Sequence, residues 1–344
     1  MIGFSLLWWV LLLCSTKSNN NVLYFSLVFF LSIVVGFRGI EVCPDTQTYE
    51  VIYNSVVVDK DYTYPEPLWV LVNFLVYALG GNFHILLWVS SLITFFCISK
   101  VLIKYSPNIL FSLFLLYSLY FIFYSMNITR QMIAVSFVFY AYSKLVEGKR
   151  NLFIFYGLIA FLFHYSAIVT FLVLPFLKIQ ITTKRLYWGI VFSLLGGLFF
   201  ISEGLLSYIL GPYAIYLSSS ENGFRSSILL PLILSLFLNA LCVFIYNTSD
   251  DDIKDTPWFK IYILGIIANN LLVGLSLGTR VVMFFSIVQL IVLPMYVYNN
   301  RLKPKGAALF ILLCYVGSLF FMLLLTGSVG VYPYNNILFD WNLY

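Results

Sequence analysis

Three arginines stand at the edges of long apolar runs, where a charge is unexpected. Arg38 ends one run, Arg130 lies in the first turn of another, and Arg280 opens a third. A guanidinium is planar, stays protonated and binds phosphate or carboxylate through two parallel hydrogen bonds. Charges at this depth are costly and are usually kept for function. The pattern therefore predicts an anion site, the plainer interpretation being pairing with Asp45 or Glu66 or snorkelling to the membrane surface.

The segment around Arg130 strengthens the prediction of an anion site. The sequence Asn127-Ile-Thr-Arg-Gln places Asn127, Arg130 and Ala134 on one face of a helix. The helix N-terminus adds its own positive end to the guanidinium. An anion is therefore the natural ligand at this position.

Two further side chains are candidates for proton transfer. His164 interrupts a long apolar run, and a histidine can accept or donate a proton near neutral pH. Asp45 lies in a polar loop and could act as a base or bind a sugar hydroxyl. The plainer interpretations are a core histidine with satisfied hydrogen bonds and a solvated carboxylate. Glu66, followed by Pro67, is expected to cap a helix.

The composition requires a membrane. Of the 344 residues, 62% are hydrophobic and 10% are charged, whereas a soluble domain carries about a quarter charged residues. About ten runs approach the roughly 20 apolar residues that a spanning helix needs. We therefore predict an all-α integral membrane protein, a polytopic bundle of about 10–12 membrane segments that include re-entrant half-helices.

The cations predict the orientation of the bundle. We place 14 of the 19 Lys and Arg residues in the cytoplasm, and 11 of these 14 cations are lysines. Of the five cations placed outside, four are arginines. The segment 38–66 holds two cations against six acids and belongs outside. The arginines, His164 and the acidic loop then share the outer face.

Two apolar runs do not fit this alternation. The run 68–79 is too short to span and is predicted to be a half-helix near the outer face. The run 151–177 has cytoplasmic charge at both ends, which predicts two half-helices with His164 at the outer tip; a single tilted helix is the alternative. Broken helices at membrane depth require a protein or water-filled environment. Both runs indicate one outward-facing cavity.

No linker or repeat divides the chain, so residues 1–344 are predicted to form a single polytopic membrane domain. Its polar parts are an outer loop 38–66, an outer loop 206–226, a cytoplasmic loop 247–256 and an outer tail 326–344. The five cysteines are scattered and the two histidines are far apart. We therefore expect no disulfide framework, no metal site and no cofactor.

Several short motifs occur in a distinctive order along nearly the whole chain. They are Arg38-Gly39, Asp45-Thr46, Tyr49, Glu66-Pro67, Asn127…Arg130-Gln131…Ala134, Phe163-His164-Tyr165-Ser166-Ala167, Arg280, Leu293-Pro294 and Tyr332-Pro333-Tyr334. This order resembles the EpsG family, the Wzy-like polymerases of O-antigen, capsule and exopolysaccharide. One departure is that the family's basic run after the first helix is reduced here to Lys17.

The resemblance implies a glycosyltransferase of the GT-C class, which uses lipid-linked sugars. It implies that undecaprenyl-pyrophosphate-linked oligosaccharide repeat units are joined at the outer face of the bacterial inner membrane. The active site would face the periplasm or exterior. The implied partners are the lipid-linked oligosaccharide, the lipid bilayer and a chain-length regulator protein, with no nucleic acid.

The residues and the resemblance together give the expected roles. Arg130 and Arg280 would hold the pyrophosphate, with Arg38 assisting. His164 would be the base or would orient the acceptor, with Asp45 as the alternative base. Weaker candidates for sugar contacts are Tyr49, Glu66, Gln131 and Tyr334.

Other functions remain open at this point. A lipid-linked oligosaccharide flippase would place charges along a cavity reached from both faces and would favour inverted repeats, which are absent from the sequence. An O-antigen ligase would share the arginines and the mechanism. A membrane O-acyltransferase would also use arginine and histidine, with key residues nearer the cytoplasm.

Overall fold

The computed structural model describes residues 1–17, 19–200, 229–273, 275, 278–299, 305–327 and 329–343. The predicted outer loop 206–226 lies outside these residues. The described chain is almost entirely helical, so the prediction of an all-α membrane protein is confirmed.

The described residues before His164 contain nine α-helices. They are α1 (Ile2–Ser15), α2 (Asn21–Gly36), α3 (Pro44–Val57), α4 (Pro67–Ala78), α5 (Phe83–Tyr105), α6 (Ile109–Ser118), α7 (Phe121–Asn127), α8 (Thr129–Val146) and α9 (Arg150–Phe163). Asn20, Asn82 and Asn108 cap α2, α5 and α6 by accepting backbone N–H groups with their side chains.

After His164 the chain continues with a 3₁₀-helix and further helices. They are the 3₁₀-helix Tyr165–Leu172, α10 (Val173–Phe176), α11 (Thr183–Phe200), α12 (Leu229–Thr248), α13 (Asp251–Lys254), α14 (Pro257–Leu271), α15 (Gly278–Ser286), α16 (Gln289–Tyr298) and α17 (Lys305–Thr326). The strands β1 (Tyr334–Asn336) and β2 (Phe339–Leu343) form an antiparallel hairpin in which Tyr334 pairs with Leu343.

Three described helices are long and apolar enough to cross a membrane: α5, α12 and residues 306–326 of α17. The number rises to five if each of two bent pairs is one span. The pair α6 and α7 is bent by 53°, and the pair α15 and α16 by 47°. Five shorter apolar helices accompany them, so the predicted total of 10–12 membrane segments stays a prediction.

Several predicted elements differ in detail from the structure. The predicted span 109–124 is broken, because Tyr120 takes a left-handed conformation with φ of 70° between α6 and α7. The predicted span 281–299 is likewise two helices. The outer loop 38–66 contains the amphipathic helix α3, and the outer tail contains the β-hairpin. The half-helix predicted at 68–79 is confirmed as α4, and the break predicted at His164 is confirmed.

The chain divides into two compact units. The first comprises residues 1–168, 293–298 and 304–344. Within it α8 packs against α5 and α9, α2 packs against α5, and α4 packs against α3 and α9. The core is strongly aromatic and includes Tyr117, Phe123 and Phe139, all buried.

The second unit comprises residues 169–292 and 299–303. Helix α14 packs against α11, α12 and α15. A polar cluster joins three of these helices, because Asn270 bonds Ser193, Ser235 and Asn239 at 2.6–3.0 Å. Such side-chain bonds hold membrane helices together where burial of apolar surface cannot.

Candidate functional site

The candidate site is built around Glu66, the residue that precedes α4. Its backbone carbonyl accepts the N–H groups of Trp69 and Val70, so Glu66 is the N-cap residue by position. Its side chain makes no capping bond, which differs from the expected role of the carboxylate. The carboxylate instead joins two side chains from other helices.

The two oxygens of Glu66 bind one basic group each. Oε1 lies 2.6 Å from Nδ1 of His164, and Oε2 accepts a hydrogen bond from Nη1 of Arg130 in an ion pair. The Glu66 side chain is 7% exposed, Arg130 is 18% exposed and His164 is 26% exposed. The carboxylate is therefore buried under two groups that still reach the surface.

His164 reaches Glu66 because α9 ends one residue earlier. The backbone of His164 is extended, with φ of −161° and ψ of 118°. Its N–H closes α9 on Ala160, and its carbonyl accepts the N–H of Ala167 in the 3₁₀-helix that follows. Nδ1 faces Glu66, and Nε2 has no hydrogen-bond partner in the described part of the chain.

Arg130 is held by aromatic rings as well as by Glu66. Its Nη1 also donates to the hydroxyl of Tyr64. Its Cζ lies 5.3 Å from the ring centroid of Tyr49 and 5.1 Å from that of Tyr64, within the range of cation–π attraction. Its Nε is buried and has no hydrogen-bond partner among the residues that the structure describes. A buried donor without a partner favours the entry of a ligand acceptor.

The tyrosines beside Arg130 are kept neutral by burial. Burial raises the pKa of Tyr49 to about 12, an effect that the nearby Arg130 opposes. Burial also raises the pKa of Tyr64, again opposed by Arg130. Both hydroxyls therefore remain protonated at neutral pH, and neither neutralises the guanidinium.

Asp45 lies in the same unit, in the first turn of α3 and one turn before Tyr49. Its backbone N–H donates to the side-chain Oδ1 of Asn127 at 3.3 Å. Asp45 is half-buried and interacts electrostatically with Tyr49 and Tyr64. It therefore lies at the border of the cluster formed by Glu66 and Arg130. Asp45 forms no ion pair with the described residues.

Arg38 is placed differently from Arg130, because its side chain is completely buried. It donates to Val35 O at 2.7 Å, to Thr46 Oγ1 at 3.1 Å and to Thr129 Oγ1 at 3.3 Å. These bonds tie the end of α2 to the first turns of α3 and α8. Because Thr129 precedes Arg130, the guanidinium of Arg38 supports the site from within the protein.

The motif Arg38-Gly39 also receives the C-terminal hairpin. Arg38 forms a β-bridge with Asn336, and the Gly39 N–H donates to the carbonyl of Asn335 at 3.1 Å. A Cβ on Gly39 would lie 1.9 Å from the Asn335 side-chain oxygen. Tyr334 is buried in this region, where its hydroxyl donates to Val34 O at 2.8 Å.

Gln131 and Arg280 are two further residues that the sequence predicts to be in the site. Gln131 is buried on α8, next to Arg130 in sequence. Arg280 is half-buried in the first turn of α15 and belongs to the second unit. Their proposed contacts with sugar and pyrophosphate stay predictions.

Tyr64 and Tyr165 are site residues that the sequence analysis did not select. Tyr165 follows His164, is 45% exposed, and donates its hydroxyl to the carbonyl of Pro65. Tyr64 lies in the outer loop 38–66. Tyr64 lies two residues before Glu66 and next to Pro65. This short spacing is the one local signal that Tyr64 and Glu66 contact the same side chain.

The chemistry available at this cluster is proton transfer beside a fixed positive charge. The carboxylate of Glu66 orients the imidazole of His164, and Arg130 supplies the charge. In the described residues no group of three or more His, Cys, Asp and Glu side chains has the arrangement of a metal site.

Comparison with known proteins gives one match. The model of the EpsG family matches residues 21–336, which include every candidate residue discussed above. No curated protein and no solved structure matches the chain.

Proposed function

The chain belongs to the EpsG family, and from this premise we propose that it is a membrane glycosyltransferase that polymerises a polysaccharide. It joins oligosaccharide repeat units that are carried on undecaprenyl pyrophosphate. The family is associated with Wzy-like polymerases. The single observation that carries the proposal is the Glu66 carboxylate held between Arg130 and His164.

The proton in this reaction passes to His164. The acceptor hydroxyl loses its proton to Nε2 as its oxygen forms a bond to the anomeric carbon of the donor. The Nδ1 proton remains on the imidazole and donates to Glu66, which stabilises the imidazolium in the manner of the carboxylate in a catalytic triad. The exposure of His164 and the extended backbone at the end of α9 support this role.

The leaving group is the lipid pyrophosphate, which departs with the electron pair of the glycosidic bond. Arg130 stabilises the charge that develops on it, using donors that the protein leaves available. The buried Nε without a partner supports this role. In the resting protein Glu66 offsets the charge of Arg130, so the guanidinium is held in position before the substrate binds.

The remaining predicted residues are given secondary roles in this proposal. Arg38 positions Arg130 through Thr129, a change from the direct assistance expected from the sequence. Asp45 binds an acceptor hydroxyl at the border of the cluster. The role of Arg280 in binding pyrophosphate stays the prediction made from the sequence. The reaction takes place at the outer face of the bacterial inner membrane.

The proposal is tested by reconstitution of the full chain in vesicles with a defined undecaprenyl-pyrophosphate-linked repeat unit. We expect products of increasing length and the release of undecaprenyl pyrophosphate. Movement of the repeat unit across the bilayer without new glycosidic bonds would contradict the proposal and indicate a flippase. Transfer to another lipid acceptor without chain growth would indicate a ligase.

A second test of the proposed function uses cells. Deletion of the chain from its host should leave surface glycan with a single repeat unit, because the units are still made and exported. Complete loss of the repeat unit, or a normal ladder that lacks acetyl groups, would contradict the proposal. Complementation with the unaltered chain controls for effects on neighbouring genes.

A further inference from the structure

A groove with a volume of about 760 Å³ lies on the first unit, below the candidate site. It is lined by side chains from α5, α8 and α9, namely Leu92, Ile93, Phe96, Cys97, Lys100, Phe137, Tyr140 and Tyr156. All of these are apolar or aromatic except Lys100, whose ammonium lies over the ring of Phe96 at 5.1 Å. The mechanism proposed above does not use this groove.

The groove and the site are built on the same two helices. Phe137 lies seven residues after Arg130 on α8, or about 10 Å along the axis, and Tyr156 lies eight residues before His164 on α9, or about 12 Å. The ring of Phe137 stacks on Phe163, with centroids 5.6 Å apart and planes 14° apart. Phe163 directly precedes His164, so the wall of the groove continues to the site.

The direction of α5 gives the depth of the groove. Lys104 near the end of α5 pairs with Glu147 at the end of α8 at 2.8 Å, so the two helices run in the same direction. Counted from the other end of α5 at Phe83, Leu92 and Lys100 lie about 14 and 26 Å along the axis. The hydrocarbon core is about 30 Å thick. The groove therefore extends from near the midplane into the half that is distant from the site.

We propose that this groove binds the polyprenyl chain of the lipid-linked substrate, an inference that rests on the proposed function. If the pyrophosphate of a lipid lies at Arg130, its chain extends about 10 Å along α8 before it contacts Phe137. An acyl chain that starts in the same leaflet ends near the midplane, at the depth of Leu92, and does not reach the far end of the groove at Lys100. Only a chain longer than half the bilayer extends from Arg130 to the far end of the groove at Lys100. A polyprenyl chain has that length.

The inference is tested by photocrosslinking of the full chain in vesicles of phosphatidylglycerol that contain undecaprenyl pyrophosphate. A benzophenone amino acid replaces Ile93 in the groove, and the matched control carries it at Phe29, an exposed position on α2. We expect polyprenyl adducts at position 93 and phospholipid adducts at position 29. Phospholipid adducts alone at both positions would overturn the inference.

A second measurement separates this inference from the proposed function. In Ile93→Trp the indole fills part of the groove, so the KM for an undecaprenyl-linked donor should rise about tenfold, or about 1.4 kcal/mol. The KM for a ten-carbon prenyl donor should not change. Equal effects on both donors would overturn the groove assignment. Polyprenyl adducts at position 93 in a protein that forms no glycosidic bonds would retain the groove and overturn the proposed function.

Discussion

Nδ1 of His164 lies 2.6 Å from Oε1 of Glu66, although 97 residues separate the two in the chain. The contact forms because α9 stops at Phe163 and α4 starts at Pro67. Two breaks in helical structure thus place the proposed base and a carboxylate together. The other oxygen of the carboxylate binds Arg130.

The first prediction concerns this pair. His164→Ala should lower kcat by about 10²- to 10⁴-fold, the usual contribution of a general base. Glu66→Gln should cause a smaller loss, because the amide still occupies the space but no longer stabilises the imidazolium. If Glu66 acts mainly through His164, the loss of kcat in the double variant should be smaller than the two single losses combined. Additive losses of kcat would contradict the coupling.

The second prediction concerns the charge of Arg130. Arg130→Ala should reduce kcat by about 10²- to 10³-fold, because a fixed donor to the leaving group is lost. Arg130→Lys should recover little of the activity, since an ammonium lacks the planar fork. The matched control is Lys60→Ala, which removes an exposed cation of the outer loop 38–66 and should keep full activity. Full-length polymer from both Arg130 variants would exclude the role in catalysis.

The third prediction separates the two arginines by stability. Arg38→Met removes three buried hydrogen bonds from a charged group and should lower the free energy of unfolding by about 3 kcal/mol or more. Arg130→Ala should have a smaller effect, because the Arg130 side chain is 18% exposed and its removal lets water reach the Glu66 carboxylate. Thermal unfolding of both variants in detergent gives the comparison. Equal stability of the Arg38 variant and the unaltered chain would contradict the buried role.

The sequence predicted much of this site because charged residues in a membrane are rare. Arg130, His164 and Glu66 stand out from apolar surroundings, and the breaks at His164 and before α4 follow from charge and length. Pairing of an arginine with Glu66 was one interpretation of the sequence, and Arg130 makes that pair. The sequence did not indicate that the same carboxylate would also contact His164. That contact depends on the packing of α4 against α9, which no local pattern contains.

The differences in the fold have similar causes. The pattern of apolar residues continues through Tyr120, so the bend between α6 and α7 has no hydropathy signal. Arg38 and Arg130 look alike in the sequence, yet one is enclosed by Thr46, Thr129 and Val35. Exposure is decided by which helices pack together, and the hydroxyl partners of Arg38 are too common to identify in advance.

The fourth prediction concerns the polar cluster of the second unit. Asn270 is completely buried and bonds side chains of α11 and α12. Asn270→Ala should lower the free energy of unfolding by about 1–2 kcal/mol, the range found for bonds between membrane helices. Asn151→Ala, an exposed amide on α9, should change it by less than about 0.5 kcal/mol. Equal stability of the two variants in detergent would show that the cluster contributes nothing.

The fifth prediction is a pH dependence at the opposite end of α8. Glu147 accepts hydrogen bonds from Lys104 at 2.8 Å, Lys149 at 2.7 Å and Lys144 at 3.3 Å. These lysines, Lys104 foremost, lower the pKa of the carboxyl from 4.5 to about 2. Because the folded-state pKa is depressed, the stabilisation is present above pH 4.5 and is lost as the pH falls towards 2.

Thermal unfolding of the unaltered chain and of Glu147→Gln measures this effect. The variant should unfold at a lower temperature at pH 7, and the difference should shrink as the pH falls from about 4.5 towards 2, because the Glu147 carboxyl becomes protonated over this range. Salt should also reduce the difference in unfolding temperature, because Lys104 and Lys149 are more than half exposed. Asp251→Asn is the matched control, since Asp251 is 89% exposed and has one lysine contact. A difference between Glu147→Gln and the unaltered chain that stayed constant from pH 7 to pH 2 would mean that packing, and not charge, accounts for the role of Glu147.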